Sequence, residues 1–153
     1  MSLTIATEAV YAYFLDPGID KAFLHGHSFT ANPLGCAAAL ASLDLLLDPE
    51  CAAARARIEA RHRTGLAQVV AASPRAGRLR IQGTIAAFDL VTPEQGYGSD
   101  LGARMQRFFL RRGLLLRPLG GTLYLLPPFC ITDAELDRAY AGIEEGLAGW
   151  FQD

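Results

Sequence analysis

The chain has 153 residues, half of them apolar and a fifth charged, which is enough for one domain with a core of its own and is not the composition of a disordered segment. No apolar run approaches the roughly 20 residues needed to cross a bilayer, and 14 basic against 16 acidic side chains, a formal charge of -2, leave no electrostatic footprint for nucleic acid or an anionic membrane. Cys36, Cys51 and Cys130 are widely spaced and form neither a disulfide framework nor a CxxC metal pair, so a reducing cytoplasm is the expected setting.

The first segment, "SLTIATEAVYAYF", begins inside patterned apolar sequence with no leader, as if the chain were entered partway through a fold. Thr7 is placed to cap a short helix through about Phe14, and Pro17-Gly18 ends it. A polar loop, "HGHSFTA", follows. Asn32 as N-cap and Pro33 at the first helical position then start a helix predicted to run to about Leu47. Asp48-Pro49 interrupts it, and a second helical stretch is expected from Glu50 to about Ala72, with Arg55, Arg57, Glu59, Arg61 and Arg63 on its wetter faces and Ser73-Pro74 as its stop.

Leu79 to Val91 reads as one bent strand or two short ones, with Gly83 marking a bulge or a close backbone approach. "SDLGARMQRFFLRRG" sets Leu101, Met105, Phe108 and Phe109 on one helical face, starting at Ser99 and ending at Arg111-Arg112-Gly113. "LLLRPLGGTLYLLPP" is predicted as strand, Gly-Gly turn, strand. "TDAE", Thr132 to Glu135, is a capping box opening a last helix whose buried stripe is Leu136, Tyr140, Ile143, Leu147 and Trp150. The fold class expected is α/β, a small antiparallel-rich sheet covered by helices.

The loop from His25 to Asn32 meets a helix N-terminus, where unpaired N–H groups and the positive end of the helix dipole suit an anion, and Ser28 and Thr30 offer hydroxyls. Capping alone accounts for the same residues equally well. His25-x-His27 is a poor start for a metal site, since nothing nearby completes a shell, and no metal is expected. Gly35, Cys36, Ala37, Ala38, Ala39 and Ala41 make a helix of little side-chain volume that lets another backbone approach, in this chain or in a second subunit. Arg117 ends a strand beside a glycine turn, where a guanidinium can take a carboxylate bidentately or simply leave for solvent. Tyr124 lies on the next strand. Lys21, the chain's one lysine, follows a Pro-Gly turn among Asp16 and Asp20, like a solvated loop cation rather than a desolvated nucleophile.

Together "HGHSFTANPLGCAAALASLDLL" and "GLLLRPLGGTLYLLPPFCIT" resemble the C-terminal part of class III, fold type I aminotransferases that use pyridoxal 5'-phosphate, and among them the adenosylmethionine-8-amino-7-oxononanoate aminotransferase family of biotin synthesis. The resemblance runs along essentially the whole chain. It implies that residues 1–31 belong to a large cofactor-binding domain, 32–48 to a linking helix and 49–153 to a C-terminal small domain. It implies that Ser28, with the backbone at Phe29, binds the phosphate of a cofactor held by the other subunit of a homodimer, that Arg117 holds the carboxylate of the keto-acid substrate, and that Tyr124 stands near the substrate pocket. The family's Schiff-base lysine would fall before Met1, so no catalytic residue is expected in this chain, Lys21 is not the equivalent, and the chain alone is expected to be inactive. Another class III transaminase, acting on an ω-amino acid or a diamine, and a non-catalytic dimerisation or anion-binding module are the alternatives.

Overall fold

A computed structural model describes residues 2–93 and 100–151; Ser99, expected at the start of a helix, lies outside the described residues. The chain divides into two units, Met1–Asp48 and Pro49–Asp153.

The first unit consists of α1 (Glu8–Tyr13), a 3-10 turn at Ile19–Lys21 and α2 (Pro33–Leu47). Thr7 caps α1, its hydroxyl accepting from Val10 N–H at 3.4 Å, and Asn32 caps α2, its Oδ1 accepting from Gly35 N–H at 3.1 Å, with Pro33 spending no hydrogen bond in the first turn. Asp48 turns to extended backbone, as a residue before proline must, and stops α2. Neither helix buries a residue: Leu34, Leu40, Leu45 and Leu47 of α2 are each more than 60% exposed.

The second unit holds α3 (Pro49–Arg61), a π-helical turn (His62–Leu66), α4 (Ala67–Ala72), β1 (Ala76–Gln82), β2 (Ile85–Leu90), α5 (Leu101–Arg111), β3 (Thr122–Leu125) and α6 (Asp133–Gly149). The strands form one antiparallel sheet in the order β1-β2-β3. Strand alternation turns Ala86, Phe88 and Leu90 of β2 and Leu123 and Leu125 of β3 inward. There they join Ile58, Met105, Phe108, Phe109, Leu136 and Ile143 from the helices in a single core. The capping box forms as expected, Thr132 and Glu135 bonding reciprocally. Arg57 and Arg61 of α3 pair with Asp133 and Asp137 of α6, giving the wet face of α3 a role in joining two helices.

Four expectations change. The segment 114–118 is extended but joins no strand, because Leu114 N–H turns back to Phe109 O and Pro118 has no N–H to give; only Leu119 and Thr122 form a bridge. Gly83 lies in the turn between β1 and β2 at φ +55, with nothing within 4 Å of where its Cβ would stand, so its freedom from a Cβ serves the turn and not a close approach. The bulge lies earlier, between Gly77 and Arg80, where Arg78 adopts φ +50. Trp150 is half-buried in a left-handed cap beyond α6, stacked under Arg75, and Phe151, unforeseen, fills the core instead.

The fourth change is the π-helical turn. Thr64 Oγ1 accepts no part in the ladder but donates to Ala60 O at 3.0 Å, and Gly65 lies so close to Tyr140 that a Cβ would meet its ring at 2.7 Å. The widened turn swings His62 fully into the core, where Tyr140 O–H and His62 Nδ1 meet at 2.9 Å and His62 Nε2 and Thr84 O at 3.2 Å. One proton assignment satisfies all three groups: the tyrosine donates to Nδ1, and Nε2–H donates to the carbonyl. Burial holds the imidazole below its ordinary pKa, against the opposing pull of the Thr84 carbonyl, and burial pushes the Tyr140 phenol up to about 12.

Because the folded imidazole binds its proton less readily than the unfolded one, the contribution of His62 to stability is fully present above pH 6.5 and is lost as pH falls from there through the folded pKa. Urea denaturation followed by Trp150 fluorescence at pH 7.5 and 5.5 is expected to show this loss, at no more than about 1.4 kcal/mol per pH unit. His62→Asn is expected to be less stable at pH 7.5 and to lose most of the pH dependence in that window.

Candidate functional site

In the first unit the loop before α2 sorts its polar groups into used and unused. Residues 28–31 form a turn in which Thr30 N–H donates to His27 O at 2.9 Å, Asn32 N–H to Phe29 O at 3.1 Å and His27 N–H to Thr30 Oγ1 at 3.0 Å. Thr30 Oγ1 and Asn32 Oδ1 thus act as acceptors for the turn and the helix cap, and the backbone N–H groups of both residues are spent within the turn. The Ser28 hydroxyl and the N–H groups of Ser28 and Phe29 take no hydrogen-bond partner among the described residues. These donors therefore stay open on the approach to a 15-residue helix whose first N–H groups carry partial positive charge, which is a donor set suited to a phosphate.

Phe29 itself is exposed and its ring lies flat on His27 at 5.4 Å between centroids; His27 meets His25 edge-on at 5.2 Å, and His25 meets Phe23 at 5.8 Å. Ring contacts thus account for the paired histidines, and among the described residues no three His, Cys, Asp or Glu side chains gather as metal ligands. Lys21 pairs with Asp16 at 3.1 Å, whose carboxyl is held low first by the Gly18 N–H and then by Lys21.

In the second unit Arg117 lies in the extended segment 114–118, exposed and without a hydrogen bond or ion pair among the described residues. Tyr124 is on β3 opposite Ala87, on the sheet face turned away from the core, and is half-buried. No contact joins the two side chains directly. Their relation is one of chain order: the Leu119–Thr122 bridge closes the turn that follows Arg117 and leads into β3, on which Tyr124 lies. Ser28 and Phe29 belong to the first unit, Arg117 and Tyr124 to the second.

The same outward face carries a cluster not anticipated from the sequence. Asp89 of β2 takes Arg80 bidentately, at 2.6 and 2.9 Å, accepts from Thr122 Oγ1 at 2.9 Å, and has Arg78 at 3.5 Å. The Arg80 hydrogen bonds, above all, hold the Asp89 carboxyl down at about 2, with Thr122 adding to them against desolvation. Aspartate is depleted in strands, so its presence in the middle of "IAAFDL" was the available signal. Arg78, Asp89, Gly121 and Thr122 line an open groove of about 560 Å³, to which neither Arg117 nor Tyr124 contributes.

Comparison with known proteins agrees with this layout. Residues 1–147 match the class-III aminotransferase family. The adenosylmethionine-8-amino-7-oxononanoate aminotransferase of Synechococcus elongatus is 50% identical over 147 residues, covering 96% of this chain and 34% of the relative, and that of Geobacter sulfurreducens is 35% identical over 156 residues with the same coverage. The chain spans about a third of the length of these relatives. The crystal structure of a Bacillus anthracis aminotransferase superposes with a TM-score of 0.79 at 20% identity over 93% of this chain and 34% of that one, which shows the shared fold. An amine transaminase from an uncultivated Pseudomonas species gives 0.77 at 26% identity over 92% and 33%. A capped α2 led by a phosphate-suited turn, a small antiparallel sheet under helices and a family match along nearly the entire sequence converge on one assignment: the chain belongs to the class-III aminotransferase family.

Proposed function

We propose that this chain is the C-terminal portion of an aminotransferase that moves an amino group from S-adenosylmethionine to 8-amino-7-oxononanoate, giving 7,8-diaminononanoate in biotin synthesis. The observation that carries the reading is 50% identity across nearly the whole chain to a relative named for those two substrates. Residues 1–31 then belong to the large domain, α2 links the domains and residues 49–153 are the small domain. The cytoplasm is the compartment that the free cysteines fit, and no described helix is long and apolar enough to cross a membrane.

Pyridoxal 5'-phosphate is the cofactor the family implies, and it supplies the electron sink on which amino transfer depends. The donors at Ser28 and Phe29 fit its phosphate end: one hydroxyl and two free N–H groups at a helix start meet a dianion without needing a cation. The role of this chain is to fix the phosphate there and, at Arg117, to receive the carboxylate of the keto acid. An exposed guanidinium with no hydrogen bond or ion pair among the described residues binds such a group bidentately and orients its tail, leaving the other end of the substrate for the chemistry. The phosphate held by this loop belongs to the active site of the other subunit in the homodimer we propose.

The two roles separate in a holoenzyme containing this chain. Ser28→Ala is expected to weaken cofactor retention by about 1.5 to 3 kcal/mol, the value of a hydrogen bond to a charged group, as read by equilibrium dialysis of the cofactor. Arg117→Ala is expected to cost about 2 to 5 kcal/mol in single-turnover reaction with the keto acid, with a smaller effect on the donor half-reaction. Equal slowing of both half-reactions, or unchanged cofactor retention in Ser28→Ala, rules out the corresponding assignment. The exposed leucines of α2 are expected to make the 153-residue chain a dimer or larger in sedimentation at micromolar concentration, and a monomer there removes the proposal that this surface assembles.

A further inference from the structure

Arg117 stands two residues ahead of a tight turn that is fastened at several points. Leu119 N–H donates to Thr122 O at 2.8 Å and Thr122 N–H to Leu119 O at 3.0 Å, and Gly120 at φ +58 lets the chain reverse between them. Two bonds then tie the turn to β2: Leu90 N–H to Gly121 O at 2.8 Å, from the backbone, and Thr122 Oγ1 to Asp89 Oδ1 at 2.9 Å, from side chains. Asp89 is itself held by both Nη atoms of Arg80. The Thr122–Asp89–Arg80 relay therefore runs across all three strands and ends at the turn that Arg117 precedes by two residues.

We propose that Asp89, acting through Thr122, is a positioning residue for Arg117, fixing the turn from which its guanidinium meets the substrate carboxylate. This rests on the reading of Arg117 given above. Two further observations support it. A part-exposed ion pair contributes little to stability, and aspartate is depleted in strands, so the carboxylate is best accounted for by what it holds. The same carboxylate also satisfies Arg80 and lies near Arg78, whereas Arg117, just ahead of the turn, has no acidic partner among the described residues.

Thr122→Val tests the relay, since it keeps the β-branched shape and removes only the hydroxyl. The measurement is steady-state kinetics of the holoenzyme containing this chain, with 8-amino-7-oxononanoate and with its methyl ester. Thr122→Val is expected to raise KM for the acid about tenfold, the worth of one hydrogen bond, while kcat and the KM for the ester stay within about twofold. Thr122→Ser is expected to match the parent, Asp89→Asn to shift the acid's KM in the same direction as Thr122→Val, and Thr122→Val to add nothing in an Arg117→Ala background. Equal loss with acid and ester, or an unchanged KM for the acid, overturns the proposal. The parent reading is tested apart from it: Arg117→Ala leaving the acid's KM unchanged removes the carboxylate site itself, whereas Arg117→Ala raising KM while Thr122→Val does not removes the relay alone.

Discussion

The second unit depends on a sheet of three short strands having only one sealed face. Phe88, Leu123 and Leu125 must point into the helices to make a core from so few strand residues, and the two-residue period of a strand then forces their neighbours the other way. Asp89, Thr122, Tyr124 and Arg80 are gathered on the outward face by that constraint rather than by any attraction among themselves. A one-residue slip of β3 would bury Tyr124 and Thr122 and expose two leucines, so hydrophobic burial also guards the register on which the polar cluster depends.

Local signals were legible wherever a single residue type carries them. Thr7, Asn32-Pro33 and the Thr132–Glu135 box each satisfy backbone groups that a helix start leaves open, and each was found where expected. The apolar stripes of α5 and α6 were equally plain, because periodicity survives without knowledge of the neighbours. What escaped depended on a partner distant in sequence or on backbone turns that no single residue type announces. The π-helical turn follows from Gly65 meeting a ring 75 residues on, the failure of 114–118 to pair follows from where Leu114 and Pro118 place their backbone groups, and Phe151 enters the core only because the chain reverses past Gly149.

The candidate site divides along the same line. That the loop before α2 offers donors to an anion could be read from Ser28, Thr30 and Asn32 together, but which side chain makes no bond at all could not, since it is the turn geometry that draws Thr30 and Asn32 into accepting from His27 and Gly35. Arg117 was conspicuous beside its glycines, while the carboxylate that organises its surroundings was hidden in an otherwise apolar strand. The resemblance to class III aminotransferases named the loop and the arginine; only the fold placed Asp89 beside Thr122.

Holding the Asp89 carboxyl near 2 gives the outer sheet face a fixed electrical character. At and around neutral pH the lowered Asp89 carboxyl and the Arg80 guanidinium raised by it both stay charged, so what this pair adds to the field a ligand meets does not change there. An inflection seen in carboxylate binding in that range consequently reports a titrating group on the ligand or elsewhere in the protein, and this corner of the sheet supplies the invariant background against which it can be read.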